Sequence, residues 1–104
     1  MYCLIYTPCG SREEAEKIAE TLVHEQLAAC VNFFPIHSRY MWKGTLQKEE
    51  EYLLLIKTRS NLREKITKRI RQLHSYEVPA ILVYEITDGN SAFFNWIDEQ
   101  VVEY

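Results

Sequence analysis

From about Ala28 to Trp42 the residues are mostly β-forming, and after Lys43-Gly44 the run resumes from about Leu46 to Thr58, ending in Leu53-Leu-Leu-Ile56. Glycine tolerates the positive φ of a tight turn, so the run reads as one long antiparallel hairpin. Its strands, from about Ala28 to Trp42 and from about Leu46 to Thr58, hold roughly 13–15 residues each. The other two candidate strands, Tyr2–Thr7 and Val78–Thr87, are shorter. At ~3.3 Å per residue, about 20 Å of ribbon must then project past the sheet. Pro35 cannot donate to a ladder, so it marks an edge strand or a bulge.

Two helical patterns separate these strands. Ser11-Arg-Glu-Glu14 has the form of a capping box, and Ala15, Ile18, Ala19, Leu22 and Val23 follow at helical spacing. Ser60 or Asn61 caps a second helix, with Asn61-Leu-Arg-Glu64 repeating the capping logic and Leu62, Ile66, Ile70 and Leu73 forming its stripe. A terminal helix over Ala92–Val102 would turn Phe93, Trp96, Ile97 and Val101 inward. The order βαββαβ plus one helix describes an α+β ferredoxin-like sandwich, a single domain over residues 1–104.

The overhanging hairpin carries Phe33, Phe34, Tyr40, Met41, Trp42 and Tyr52. Two helices cannot cover that much aromatic surface, and an apolar patch on a projecting ribbon marks an interface. A closed homo-oligomer, in which each hairpin adds to a neighbour's sheet, is the expectation. The alternative is a ribbon folded back at Pro35 onto its own subunit.

Other classes are disfavoured. The net charge is −3, and the strand Tyr52–Lys57 lacks the aromatic motif of RNA-recognition domains, so no nucleic-acid partner is expected. Apolar runs of about five residues fall short of the ~20 that cross a bilayer, and the first residues read as a strand rather than a signal peptide. Three cysteines without C-x-x-C spacing make neither a disulfide framework nor a zinc knuckle, and suggest a reducing cytoplasm. No phosphate loop, nucleophile elbow or H-E-x-x-H motif is present, so an enzyme is not expected.

Six residues carry candidate chemistry. If the second helix persists through His74, then His74 and Glu77 share a face three residues apart, a two-ligand edge; otherwise His74 is a helix-end histidine. Cys9 precedes the first helix by two residues, where backbone donors favour thiolate, and thiolate with imidazole suits copper or zinc. Cys3 and Cys30 read as structural. Lys57 ends an apolar run at the mouth of the sheet; it either snorkels to water, pairs with Glu77 or holds an anion. Trp42 and Tyr76 could wall a cleft around it.

Taken together, Leu27-Ala-Ala-Cys-Val-Asn32, Tyr40-Met-Trp-Lys-Gly44, Leu54-Leu-Ile-Lys-Thr58, His74-Ser-Tyr-Glu-Val-Pro79, Gly89-Asn90 and Trp96 resemble the CutA divalent-cation tolerance family. The likeness runs from about Tyr2 to Val101. It implies a homotrimer of ferredoxin-like subunits whose hairpins pair between protomers, similar to the PII-type nitrogen regulators. It also implies a link to copper and other divalent metals, with no organic cofactor. The family's copper-linked histidine position is matched by His74, whereas its cysteine position holds Thr7 and a paired-histidine position holds Leu73. Ser75 and Ser91 stand where the family has prolines, which should loosen two turns.

Three readings follow. The first is a non-enzymatic cytoplasmic trimer that binds divalent metal through His74 and Cys9. The second is a PII-like regulator or partner-binding module with an inter-subunit cleft of Trp42, Lys57, Tyr76 and Glu77. The third is a structural trimer that anchors another protein.

Overall fold

A computed structural model describes residues 1–103. Strand β1 (Tyr2–Cys9) is followed by α1 (Arg12–His24), β2 (Cys30–Trp42), β3 (Thr45–Arg59), a 3-10 turn over Ser60–Leu62, α2 (Arg63–Leu73), β4 (Leu82–Ile86) and α3 (Ser91–Gln100). The strands form one antiparallel sheet in the order β2-β3-β1-β4, the ferredoxin-like arrangement.

Alternation along the strands creates two unlike faces. Cys3, Ile5, Cys9, Leu54 and Ile56 meet Ala15, Ile18, Leu22, Ile66 and Ile70 from α1 and α2, all fully buried. The other face is covered at its Tyr2 end, where the Phe94 ring of α3 stacks on Tyr2 at 4.3 Å. Elsewhere it stays open: Phe34, Leu82 and Tyr84 remain 42%, 48% and 52% exposed.

The ribbon projects as its length requires. β1 accompanies β3 only from Arg59 to Tyr52, while β2 and β3 stay paired from Cys30↔Lys57 out to Trp42↔Thr45. The molecule is 45 Å along its longest axis against 25 and 21 Å across. Pro35 faces Tyr52 with the register unbroken, so it marks an edge strand and the ribbon does not fold back. Lys43 and Gly44 both have positive φ, 50° and 80°, which matches a two-residue hairpin turn to the strand twist.

Several boundaries differ from expectation. β1 continues through Pro8 to Cys9, because β4 reaches only as far as Tyr6 and the proline needs no partner on that side. β4 is five residues long, with 78–81 outside it. Ser11 caps α1 by accepting from the Glu14 N–H, as the capping box requires. The second capping box does not form: Ser60 donates its hydroxyl to Glu85 at 2.7 Å, and α2 starts after a 3-10 turn without a side-chain cap. In α3, Ile97 and Val101 are buried, but Phe93 and Trp96 are 37% and 38% exposed and Phe94 packs inward in their place.

Candidate functional site

The site is built where the ribbon leaves the sheet. Gln47, Glu49 and Glu51 alternate along β3 and therefore share one face, opposite Tyr40 and Trp42 on β2. After α2 the chain runs on through residues 74–81 and brings Tyr76 up against this face. The Tyr76 hydroxyl donates to Glu51 Oε2 at 2.6 Å, and the Tyr40 hydroxyl donates to Glu49 Oε1. These groups, with Pro8, Glu77, Val78 and Ala80, line a cavity of about 560 Å3.

The cavity is acidic. Three carboxylates and no lysine or arginine line it. Burial, then the bond to Glu51, pushes the Tyr76 phenol far above its ordinary value. The bond to Glu49 pushes the Tyr40 phenol up to about 12. Both phenols therefore act as donors that hold carboxylates in place.

Of the four residues expected to line a cleft, Trp42, Tyr76 and Glu77 come together and Lys57 does not join them. Lys57 stands six residues beyond Glu51 on β3, about 20 Å away at ~3.3 Å per residue. Its ammonium binds the Asn32 side-chain oxygen and lies 3.8 Å from the Cys30 sulfur, so it does not pair with Glu77 within the chain. Within one chain, therefore, the cation of the expected inter-subunit cleft stands apart from its other three residues. Glu49, Glu51 and Tyr40 join the site unannounced by any motif; the period-two spacing of Gln47, Glu49 and Glu51 is the one sequence signal for them.

His74 and Glu77 do not share a helical face, because α2 ends at Leu73 and His74 is extended, with φ −82° and ψ 138°. The His74 side chain is fully buried. Its Nε2 lies 2.8 Å from the Pro8 carbonyl, which can only accept, and its Nδ1 accepts from the Tyr76 N–H at 3.1 Å. Those partners place a hydrogen on Nε2 and use Nδ1 as the acceptor. Glu14 Oε2 lies 3.6 Å from Nδ1.

Cys9 is not a loop cysteine at a helix start. It ends β1 with no exposure, and its thiol donates to the Ser11 carbonyl at 3.6 Å. Burial, then the nearby Glu14, pushes the thiol up to about 11, the reverse of an activated thiolate. Among the described residues no three His, Cys, Asp or Glu side chains converge so as to hold a metal ion. The donor set of His74 and Cys9 does not fit a preformed copper site in one chain, since both groups are bonded and buried.

Residues 3–100 match the family model described as CutA1 divalent ion tolerance protein. The chain belongs to the CutA1 family. It is 41% identical over 101 residues to the divalent-cation tolerance protein CutA of Archaeoglobus fulgidus, covering 97% of this chain and 99% of that one. It is 40% identical over 95 residues to the chloroplastic CutA of Arabidopsis thaliana, covering 90% of this chain and about half, 52%, of the plant protein. Among solved structures, the periplasmic CutA of Archaeoglobus fulgidus superposes with a TM-score of 0.96 at 40% identity, over 98% of this chain and 100% of that one. The CutA1 of Thermus thermophilus superposes with a TM-score of 0.93 at 38% identity, over 98% of this chain and 100% of that one.

CutA1 relatives are named for cation tolerance rather than for a reaction. The cytoplasmic expectation is corrected by these relatives, one described as periplasmic and one as chloroplastic. Cys3 and Cys9 are sealed in the core, so their free thiols report burial rather than compartment.

Proposed function

We propose that this chain acts in divalent-cation tolerance as a non-enzymatic homotrimer, with the ribbon of each copy laid on its neighbour. The observation that carries this reading is the uncovered ribbon. Beyond β1 it exposes Met41 and Leu46 at 63% and 52% on one side and Trp42 at 41% on the other, the side continuous with the open sheet face of Phe34, Leu82 and Tyr84. The free edges of β2 and β4 offer backbone groups for pairing between copies. Light scattering on dilute protein tests the assembly; a stable species of one-chain mass overturns it.

The metal side of the proposal rests on the names of the relatives and on the soft donors His74 and Cys9. Copper or another divalent cation can take His74 only by displacing Tyr76 or Pro8, and Cys9 only by removing a tightly held proton. Uptake through these two residues is therefore weak at neutral pH and releases protons. Copper titrations of wild type, His74→Ala and Cys9→Ala decide the matter, and three identical isotherms remove both residues.

A second reading, a PII-like regulator or partner-binding module, is favoured by the cavity walled by Trp42, Tyr76 and Glu77. Thermal-shift screening of wild type and Lys57→Ala against nucleotides and carboxylates tests it; no stabilisation of either protein counts against it.

A further inference from the structure

Lys57 and the acidic cavity are two halves of one electrostatic arrangement that a single chain cannot close. Alternation along β3 puts Glu49, Glu51 and Lys57 on the same, open face of the sheet. Lys57 is half-buried there between Leu4 on β1 and Cys30 on β2, and among the described residues its partners are neutral. At the other end of the face, Glu49, Glu51 and Glu77 line a cavity with no lysine or arginine in its walls. Lys43 lies over the Trp42 ring at the cavity's wall, 5.8 Å from the ring centroid. Six to eight residues of extended strand, about 20–26 Å, keep Lys57 from its own carboxylates.

A half-buried ammonium without an anion, on a face that assembly would bury further, is a liability that a carboxylate relieves. A C3 ring with head-to-tail contacts sets unlike ends of the same face against each other. We infer that, in the assembled protein, Lys57 of one copy enters the Glu49–Glu51–Glu77 cavity of the next, so that the cavity is complete only between chains. This rests on the homotrimer reading and adds to it the residue that each copy contributes. The completed site combines an ammonium, three carboxylates and the Trp42 and Tyr76 rings, and it is closer to neutral than the cavity of one chain.

Zero-length carbodiimide coupling tests this on the wild-type protein, because it joins an amine to a carboxylate only where the two touch. Light and 15N-labelled chains are co-refolded, their solution mass is measured, and the coupled peptides are sequenced by mass spectrometry. The expected product joins Lys57 to Glu49, Glu51 or Glu77 with one light and one heavy partner. Lys57→Glu should then raise the concentration at which the assembly dissociates at least tenfold. Reversing the coupled glutamate as well, as Glu49→Lys, Glu51→Lys or Glu77→Lys, should restore it. A trimeric mass with Lys57 uncoupled, or a double reversal no better than the single, overturns the pairing and leaves the trimer standing. A one-chain mass overturns both.

Discussion

Ser75 gives both its backbone N–H and its hydroxyl to the Glu14 carboxylate, at 2.6 and 3.0 Å. The same carboxylate accepts from Gly10 N–H at 3.3 Å, so it ties the start of α1 to the segment that follows α2. The serine was expected to loosen a turn that the family builds with proline. It has instead become an anchor, since a proline there could make neither bond.

The first prediction follows from that tie. Glu14 is a charged acceptor for three donors, and removing it leaves them to compete for water. Glu14→Ala should cost about 2–3 kcal/mol in urea unfolding, whereas Ser75→Ala, which keeps the N–H, should cost about 1. Equal losses would show that the Ser75 backbone bond carries nothing.

Thr7 offers a stabilising change. Its side chain is fully buried among core residues, and its hydroxyl has no hydrogen-bond partner. A buried unsatisfied hydroxyl costs about 1–3 kcal/mol, and valine keeps the branched shape of a strand residue. Thr7→Val should raise the melting temperature by several degrees, roughly 4–8 °C per kcal/mol for a domain of this size. A lower melting temperature would mean that the hydroxyl is satisfied in solution.

Thiol chemistry should separate the three cysteines. Cys3 and Cys9 are sealed in the core, with burial the leading cause that raises each thiol, while Cys30 is half-buried beside Lys57. At pH 8 Cys30 should react with a disulfide reagent ahead of Cys3 and Cys9, promptly in a single chain and more slowly in the assembly, and the other two only after denaturant is added. Peptide mapping that finds Cys9 labelled first would contradict the described burial.

Alkaline titration reports the cavity. The Tyr40 phenol is raised to about 12, chiefly by its bond to Glu49, and Tyr76 is raised further by burial and Glu51. A folded-state pKa above the unfolded value of ~10 means the contribution is present below pH 10 and lost as pH climbs toward 12. Phenolate absorbance should therefore show at least three of the seven tyrosines ionising late or only on unfolding, the third being Tyr2, raised by its bond to Asp98. Glu49→Gln should bring Tyr40 down while leaving Tyr76 late. If both phenols shift together, the two pairs are not separate.

Gly89 is held by a ring rather than by its φ. A Cβ there would lie 2.7 Å from the Phe94 ring, which stacks on Tyr2. Gly89→Ala should push Phe94 off that stack and destabilise by about 1 kcal/mol, visible as a changed near-ultraviolet tyrosine signal. Phe94→Leu in the same chain should remove most of the penalty.

The order of elements, the hairpin turn at Lys43-Gly44 and the projecting ribbon were legible in the chain, because each depends on local patterning. A period of two, a period of 3.6 and a glycine where φ is positive act within a few residues of themselves. The overhang needed only a comparison of strand lengths. The charge of the cavity and the roles of His74 and Cys9 were not legible in that way. They depend on contacts such as Pro8 with His74 and Glu51 with Tyr76, which lie 66 and 25 residues apart in sequence. Only the folded sheet, by starting β4 late and turning residues 74–81 against the ribbon's base, placed the His74 ring on the Pro8 carbonyl. The same register kept Lys57 at the far end of the face from Glu49 and Glu51, because side-chain direction follows from long-range register and not from residue type.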